Sequence, residues 1–174
     1  MSATGSVGPA PAPAPSGDEL HPQAARVAAV LAQVAPGTEV RQLGASTRTA
    51  KEAADALGCE VGAIASSLVF MADDGPVMVL TSGAHRVDLD VLGPTTGLTG
   101  LRRATPDEVR SATGQAIGGV SPLGHPRALR TFVDEALADH KTLWAAAGTP
   151  HSVFATTCQQ LLAITSGTMV RVAP

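Results

Sequence analysis

The sequence predicts an α+β fold with a mixed sheet, and three observations carry that expectation. Helical and extended patterns are interleaved along the chain; two apolar runs flank a turn-forming cluster, as in an antiparallel hairpin; and two Thr-x-x-Glu capping boxes open helices that glycines close. A length of 174 residues with 44% hydrophobic side chains suits one folded domain with a tail. The apolar residues are mostly small, with 31 Ala against three Phe, one Trp and no Tyr.

The elements follow in order. Residues 1–17 carry no charge, and Pro9, Pro11, Pro13 and Pro15 stand at every second position. That spacing excludes helix and ladder alike, so a disordered tail is expected ahead of a single domain over 18–174. Ala25, Val27, Ala28, Val30, Leu31 and Val34 make a helical apolar face over 22–34, closed by Pro36 and Gly37. Residues 39–43 alternate as a half-buried strand does. Thr49 opens the next helix, with its hydroxyl on the amide of Glu52 and the Glu52 carboxylate reaching back to the cap; Gly58 stops it. Runs 68–71 and 77–81 form the hairpin across Asp73, Asp74, Gly75 and Pro76. Thr105, Pro106 and Glu108 open another helix, which Gly114 ends. A short strand is expected over 142–146, then a last helix capped by Thr156, with Gln159 at its third position and Gly167 as stop.

Several function classes are excluded by composition. A net charge of −3 and a pI near 5.9 do not suit a general polyanion binder. Four aromatic residues cannot build base-stacking platforms. Cys59 and Cys158 lack metal-ligand spacing and read as bystander thiols of a reducing compartment. His21, His85, His125, His140 and His151 never pair at i, i+3 or i+4, so no metal site is implied. No window approaches a membrane span, no signal peptide opens the chain, and a cytoplasmic location is expected. The nucleophile and phosphate-loop motifs are missing. Gly119 to Gly124 imitates a serine elbow around Ser121, but its second glycine comes one residue late and Pro122 follows the serine.

Three segments carry the candidate chemistry. Ser66 and Ser67 stand where small polar residues enter a buried strand. Ser82, Gly83, His85 and Arg86 form a polar turn at a strand end. Gly118, Gly119, Val120, Ser121 and Pro122 form a glycine-rich loop whose amides can face a cavity and hold a carbonyl oxygen or oxyanion.

In this order the three segments resemble the YbaK and prolyl-tRNA-synthetase-associated domain family of trans-editing aminoacyl-tRNA deacylases. The resemblance runs from about Thr47 to Gly167, and its most specific piece is the match of Gly118 to Pro122 with the family's Gly-x-x-x-Pro loop. It implies a compact, barrel-like mixed sheet surrounded by helices, and hydrolysis of the ester joining a wrong amino acid (Cys, Ala, Ser or Pro) to tRNA. Such a second sieve is needed because one methylene separates side chains by only about 1–3 kcal/mol in a synthetase pocket. By that resemblance Gly118 holds the aminoacyl carbonyl, and His85 and Arg86 lie near the pocket mouth. The partners it implies are the 3′ end of an aminoacyl-tRNA and an aminoacyl-tRNA synthetase. Neither cofactor, DNA nor membrane is implied, and monomer and homodimer both stay open.

One departure matters. Family members usually carry Lys immediately before the strand, in the form Ile-x-Lys-Ser-Leu-Val-Phe, and Ser66 takes that position here. A neutral hydroxyl cannot supply the cation, and losing one such electrostatic group costs on the order of 10²–10³ in rate. The rival reading is a non-catalytic module that binds an aminoacyl-RNA end or a small molecule for regulation. Lys51 and Lys141 fall elsewhere in the pattern and do not replace the missing charge.

Overall fold

A computed structural model describes residues 20–44 and 47–174. The Pro/Ala-rich tail over 1–17 lies outside the described residues. The chain folds into helices α1 (Pro22–Val34), α2 (Ala50–Leu57), α3 (Leu89–Thr96), α4 (Pro106–Thr113) and α5 (Cys158–Thr165). Its strands are β1 (Val40–Gln42), β2 (Ile64–Ala72), β3 (Gly75–Ser82), β4 (Arg102–Arg103), β5 (Arg130–Asp134), β6 (Leu143–Ala146), β7 (Ser152–Thr156) and β8 (Thr168–Val170). They form one eight-stranded mixed sheet in the order β1-β7-β6-β2-β3-β5-β8, with β4 paired to β2 off that path.

The hairpin is the spine of the sheet. β2 and β3 pair antiparallel from Ala65 opposite Ser82 to Ala72 opposite Gly75. The connection is tighter than the sequence pattern suggests: Asp73 and Asp74 alone make the turn, and Gly75 and Pro76 already belong to β3. Gly75, at φ 120°, lets the chain reverse that sharply. The period-2 alternation of β2 sorts its side chains onto two faces. Ala65 and Val69 join the main core with Met78, Leu80 and Val133, which α1, α4 and α5 cover through Val27, Leu31, Val109 and Leu161. Leu68 and Phe70 face a second core with Val77, Val79 and Phe132, covered by Leu92 of α3. Ala53 and Ala54 of α2 pack on Ile64 and Trp144.

The other edge of β2 is shared. Its start pairs with β6, Ile64 opposite Trp144 and Ala65 opposite Ala145, and its far end pairs with β4, Phe70 opposite Arg103 and Met71 opposite Arg102. Between them, residues 66–68 meet no strand on that edge among the described residues, and the Val69 carbonyl accepts from the Ala104 amide at 3.2 Å.

The caps explain where the helices begin. Thr105 accepts from the Glu108 amide at 3.2 Å while the Glu108 carboxylate accepts from the Thr105 amide at 3.0 Å, the reciprocal box the sequence predicts. That carboxylate also binds Arg102 in two parallel contacts of 2.8 Å, and these contacts hold its pKa down to about 2. At α2 the box is only half as expected. Thr49 does accept from the Glu52 amide at 3.1 Å, but the Glu52 carboxylate bonds the amide of Arg48 instead of Thr49. The last helix is displaced by one residue: Thr157 caps it, Gln160 donates to that cap, and Ser166 rather than Gly167 takes the left-handed stop. Thr156 is unavailable as a cap because it ends β7, paired with Leu143.

Candidate active site

Two adjoining cavities open beside the free edge of β2. The first, of about 510 Å³, is lined by Ile64, Ala65, Ser66, Ser67, Leu68 and Val69 from the strand, and by Gly118, Gly119 and Val120 from the loop. Arg48, Ala53, Arg103, Trp144 and Val153 also contribute walls. The second, of about 710 Å³, is lined by Ser66, Ser82, Gly83, His85, Arg86 and Arg103 among others. Both volumes lie in the range of sites for small ligands. Thr49, Ala50, Ser66, Leu68 and Arg103 belong to both linings, so these residues form the boundary.

The loop owes its shape to its glycines. Gly118 has φ +93°, which a side chain rarely adopts, and a Cβ on Gly119 would lie 2.4 Å from the carbonyl carbon of Thr149. The loop therefore lies flush on the backbone of Thr149 and Pro150. Its amides divide into two classes. Gly119 N–H donates to the Ala116 carbonyl at 3.3 Å, and Ser121 N–H donates to Gln115 Oε1 at 2.7 Å. The N–H groups of Gly118 and Val120 have no hydrogen-bond partner among the described residues. Donors without a partner beside a cavity are what a ligand carbonyl or oxyanion needs.

Ser121 and Pro122 are buried and absent from both linings. The Ser121 hydroxyl is tied to the carbonyl of Leu123 and to Gln115 Oε1, and accepts from Gln115 Nε2 at 3.0 Å. A hydroxyl so enclosed shapes the loop from within, and no serine elbow forms.

The polar turn is organised by a residue the sequence did not single out. Asp134, at the end of β5, is 1% exposed and accepts four hydrogen bonds. Three come from the turn: Thr81 Oγ1 at 3.2 Å, Ser82 N at 3.0 Å and His85 Nδ1 at 3.0 Å; the fourth is Ala136 N at 3.0 Å. A carboxylate on Nδ1 places a proton on that nitrogen and fixes the orientation of the ring. Ser82 Oγ donates to the Gly62 carbonyl at 2.9 Å, and a Cβ on Gly83 would lie 2.5 Å from the Val61 carbonyl oxygen. The turn is thus fixed from both sides, with His85 itself half exposed.

On β2, Ser66 and Ser67 point to opposite faces. The Ser67 hydroxyl is buried and has no partner among the described residues. Lys51 pairs with Asp55 on the surface at 2.9 Å, and neither lysine lines either cavity. Burial pushes the thiols of Cys59 and Cys158 above the ordinary cysteine value, consistent with bystanders. No group of His, Cys, Asp and Glu among the described residues could hold a metal, and no described helix is long and apolar enough to cross a membrane.

The profile of the aminoacyl-tRNA editing domain family matches residues 45–164. The chain belongs to that family. A solved structure of a protein proposed to be a trans-editing enzyme for prolyl tRNA synthetase shares 46% identity with this editing domain and superimposes with a TM-score of 0.84. It covers 89% of this chain and 99% of the other. The uncharacterized protein YwhH of Bacillus subtilis (strain 168) is 29% identical over 124 residues, 71% of this chain and 78% of YwhH. The proline–tRNA ligase of Thermosipho melanesiensis is 35% identical over 79 residues, which is 45% of this chain but only 14% of the ligase. The editing domain thus has relatives both as a chain of similar length and as a small part of a synthetase.

Arg48 and Arg103 are the charged lining residues that sequence reasoning missed. The pair Arg102-Arg103 is visible as local charge, but only strand alternation could have separated its members onto two faces. Arg48 lies in a stretch with no periodicity at all.

Proposed function

We propose that this editing domain is a trans-acting hydrolase that cleaves the ester of mischarged aminoacyl-tRNA, with Cys, Ala, Ser or Pro as the amino acid removed. The observation that carries this reading is the partnerless N–H of Gly118 at a cavity walled mostly by short side chains. The aminoacyl group enters the first cavity, and the Gly118 N–H donates to its carbonyl oxygen. Water adds to the carbonyl carbon, and the negative charge that develops on the oxygen is stabilised by the same donor, an effect worth on the order of 10²–10³ in rate. The tetrahedral intermediate then breaks the ester C–O bond. The ribose hydroxyl leaves with one of the water's protons, the other passes to solvent, and the amino acid departs as a carboxylate. Ser66 orients the water at the boundary of the cavities, while Ser67, Gly119 and Val120 shape the pocket. Ser82 and Gly83 hold the turn that presents His85 and Arg86 to the tRNA end. Ala53, Trp144 and Val153 bound the space for the amino-acid side chain, so selection is by size.

Ser66 at the family's lysine position favours a second reading, a module that binds the aminoacyl-RNA end without turnover. One panel separates the two. tRNAs charged with Cys, Ala, Ser and Pro are incubated with the wild type, Ser66→Lys and Gly118→Ala. Hydrolysis by the wild type that Gly118→Ala reduces at least tenfold supports the enzyme. Hydrolysis by Ser66→Lys alone, with the wild type at background, removes the enzyme reading for the natural protein.

A further inference from the structure

The two linings share one charged residue, Arg103. Around it the charge is one-sided: Arg48 lines the first cavity, Arg86 lines the second, and neither lining contains a carboxylate. This concentration of cations lies in a chain whose net charge is −3. It is therefore a local feature of the cleft and not a reflection of bulk composition.

The register of β4 explains how Arg103 comes to be there. Arg103 stands opposite Phe70, and cross-strand partners point to the same face. That face carries Ser66, Leu68 and Phe70, by the alternation of β2. The guanidinium lies 5.8 Å from the Phe70 ring centroid, a cation–π contact that orients the side chain without neutralising it. Arg102, one residue earlier, points to the other face and is neutralised by the two contacts with Glu108. Two adjacent arginines therefore have different fates: one is consumed in an ion pair, and the other has no ion-pair partner among the described residues.

We infer that Arg103 is the phosphate-binding residue of this site and grips the 5′-phosphate of the terminal nucleotide. The inference rests on the hydrolase reading only for the direction of the substrate. With the aminoacyl ester in the first cavity, the ribose crosses the boundary at Ser66, and the nearest anionic group of the nucleotide lies one sugar ring away. Arg103 is the cation at that boundary, and Arg86 lies beyond it in the second cavity. A guanidinium matches two phosphate oxygens with parallel donors, which lysine at position 66 would not do. The charge missing from position 66 is thus supplied from the neighbouring strand, but it is directed at the nucleotide and not at the carbonyl.

The test uses amide-linked analogues of 3′-alanyl adenosine, which cannot be hydrolysed, with and without a 5′-phosphate. Binding is measured by calorimetry for the wild type, Arg103→Ala, Arg103→Lys and Arg102→Ala. The phosphate is expected to tighten wild-type binding about 10- to 100-fold, the range of a charge-assisted contact. Arg103→Ala should erase that gain; Arg103→Lys should keep part of it, and Arg102→Ala all of it. Equal wild-type affinity for the two analogues, failure of the wild type to bind either, or persistence of the gain in Arg103→Ala would overturn the assignment. A wild type that shows the phosphate gain but hydrolyses none of the charged tRNAs keeps the phosphate site and loses only the hydrolytic reading.

Discussion

Adding a single methyl group at Gly119 tests whether the loop must lie flush against its neighbour. A Cβ there would sit 2.4 Å from Thr149 C, 2.7 Å from Thr149 Cα and 2.8 Å from Pro150 N, and all three are backbone atoms that no rotamer change can move away. Ordinary contact begins near 3.4 Å, so the two segments must part by about 1 Å. The opposing segment is not free to retreat. Pro150 O accepts from Thr47 N at 2.7 Å and Thr47 Oγ1 at 2.6 Å, and the Thr149 hydroxyl bonds that of Ser152. Overpacking of this kind costs about 1–3 kcal/mol, or roughly 2–12 °C in melting temperature for a domain of this size. The loop is the softer side, so the Gly118 amide moves with it, and a displacement near 1 Å lowers kcat/KM by roughly 10²-fold. Gly118→Ala is the contrast: its nearest neighbour is the flexible Arg48 side chain at 3.6 Å, and its cost is that of placing alanine at φ +93°, about 1–3 kcal/mol. The assay is kcat/KM on the charged tRNA that the wild type hydrolyses, paired with thermal melts. A Gly119→Ala protein with wild-type kcat/KM and melting temperature would refute the reasoning.

Three further outcomes are expected. Asp134→Asn replaces one acceptor oxygen with a donor facing Thr81, Ser82 and His85, and should lower stability to denaturant by about 1–3 kcal/mol; an unchanged midpoint would show that the carboxylate does not organise the turn. Ser67→Ala removes a buried hydroxyl without a partner and should leave stability unchanged or raise it by up to about 1 kcal/mol, whereas a clear loss would reveal a bond that the hydroxyl makes in solution. Burial lowers the pKa of His125 below its ordinary 6.5, against the opposing hydrogen bond to the Ser121 carbonyl. The folded state therefore favours the neutral ring, and the unfolded chain takes up the proton first as pH falls. The stabilisation is complete above pH 6.5 and is lost below it, so melting curves should fall between pH 7.5 and 5, with a shallower slope in His125→Gln. Identical slopes in the two proteins would assign the acid loss to other groups.

Local rules made much of the fold legible. The bounds of α1, the two threonine caps of α2 and α4, and the hairpin all follow from residues within a few positions of each other. What escaped was held by distant partners. β5, β7 and β8 are short strands without clear alternation, and they exist because β3, β6 and β5 offer them ladders. α3 carries Gly93 and Pro94 in its body, which propensity counts against a helix; Asp88 caps it and Leu92 anchors it in the core. At the site, Gly118, Ser66 and His85 stood out by type and context. Ser121 stood out equally, and only burial shows that its hydroxyl belongs to the loop. Arg103 and Asp134 could not be found by spacing, because what gives them meaning is the strand opposite or the turn 50 residues away.

The opening in the edge of β2 bears on how the protein avoids its own kind. Unpaired strand edges invite another chain to add a strand and begin aggregation. Here the opening is three residues, 66–68, about 10 Å at the rise of an extended chain, because the Val69 carbonyl accepts from the Ala104 amide. An intruding strand would meet β6 at one end and β4 at the other before reaching the usual length of five or six residues. A small ligand fits such a notch, while a polymer has nowhere to continue. The sheet can therefore keep unpaired backbone in its middle without offering a template for assembly.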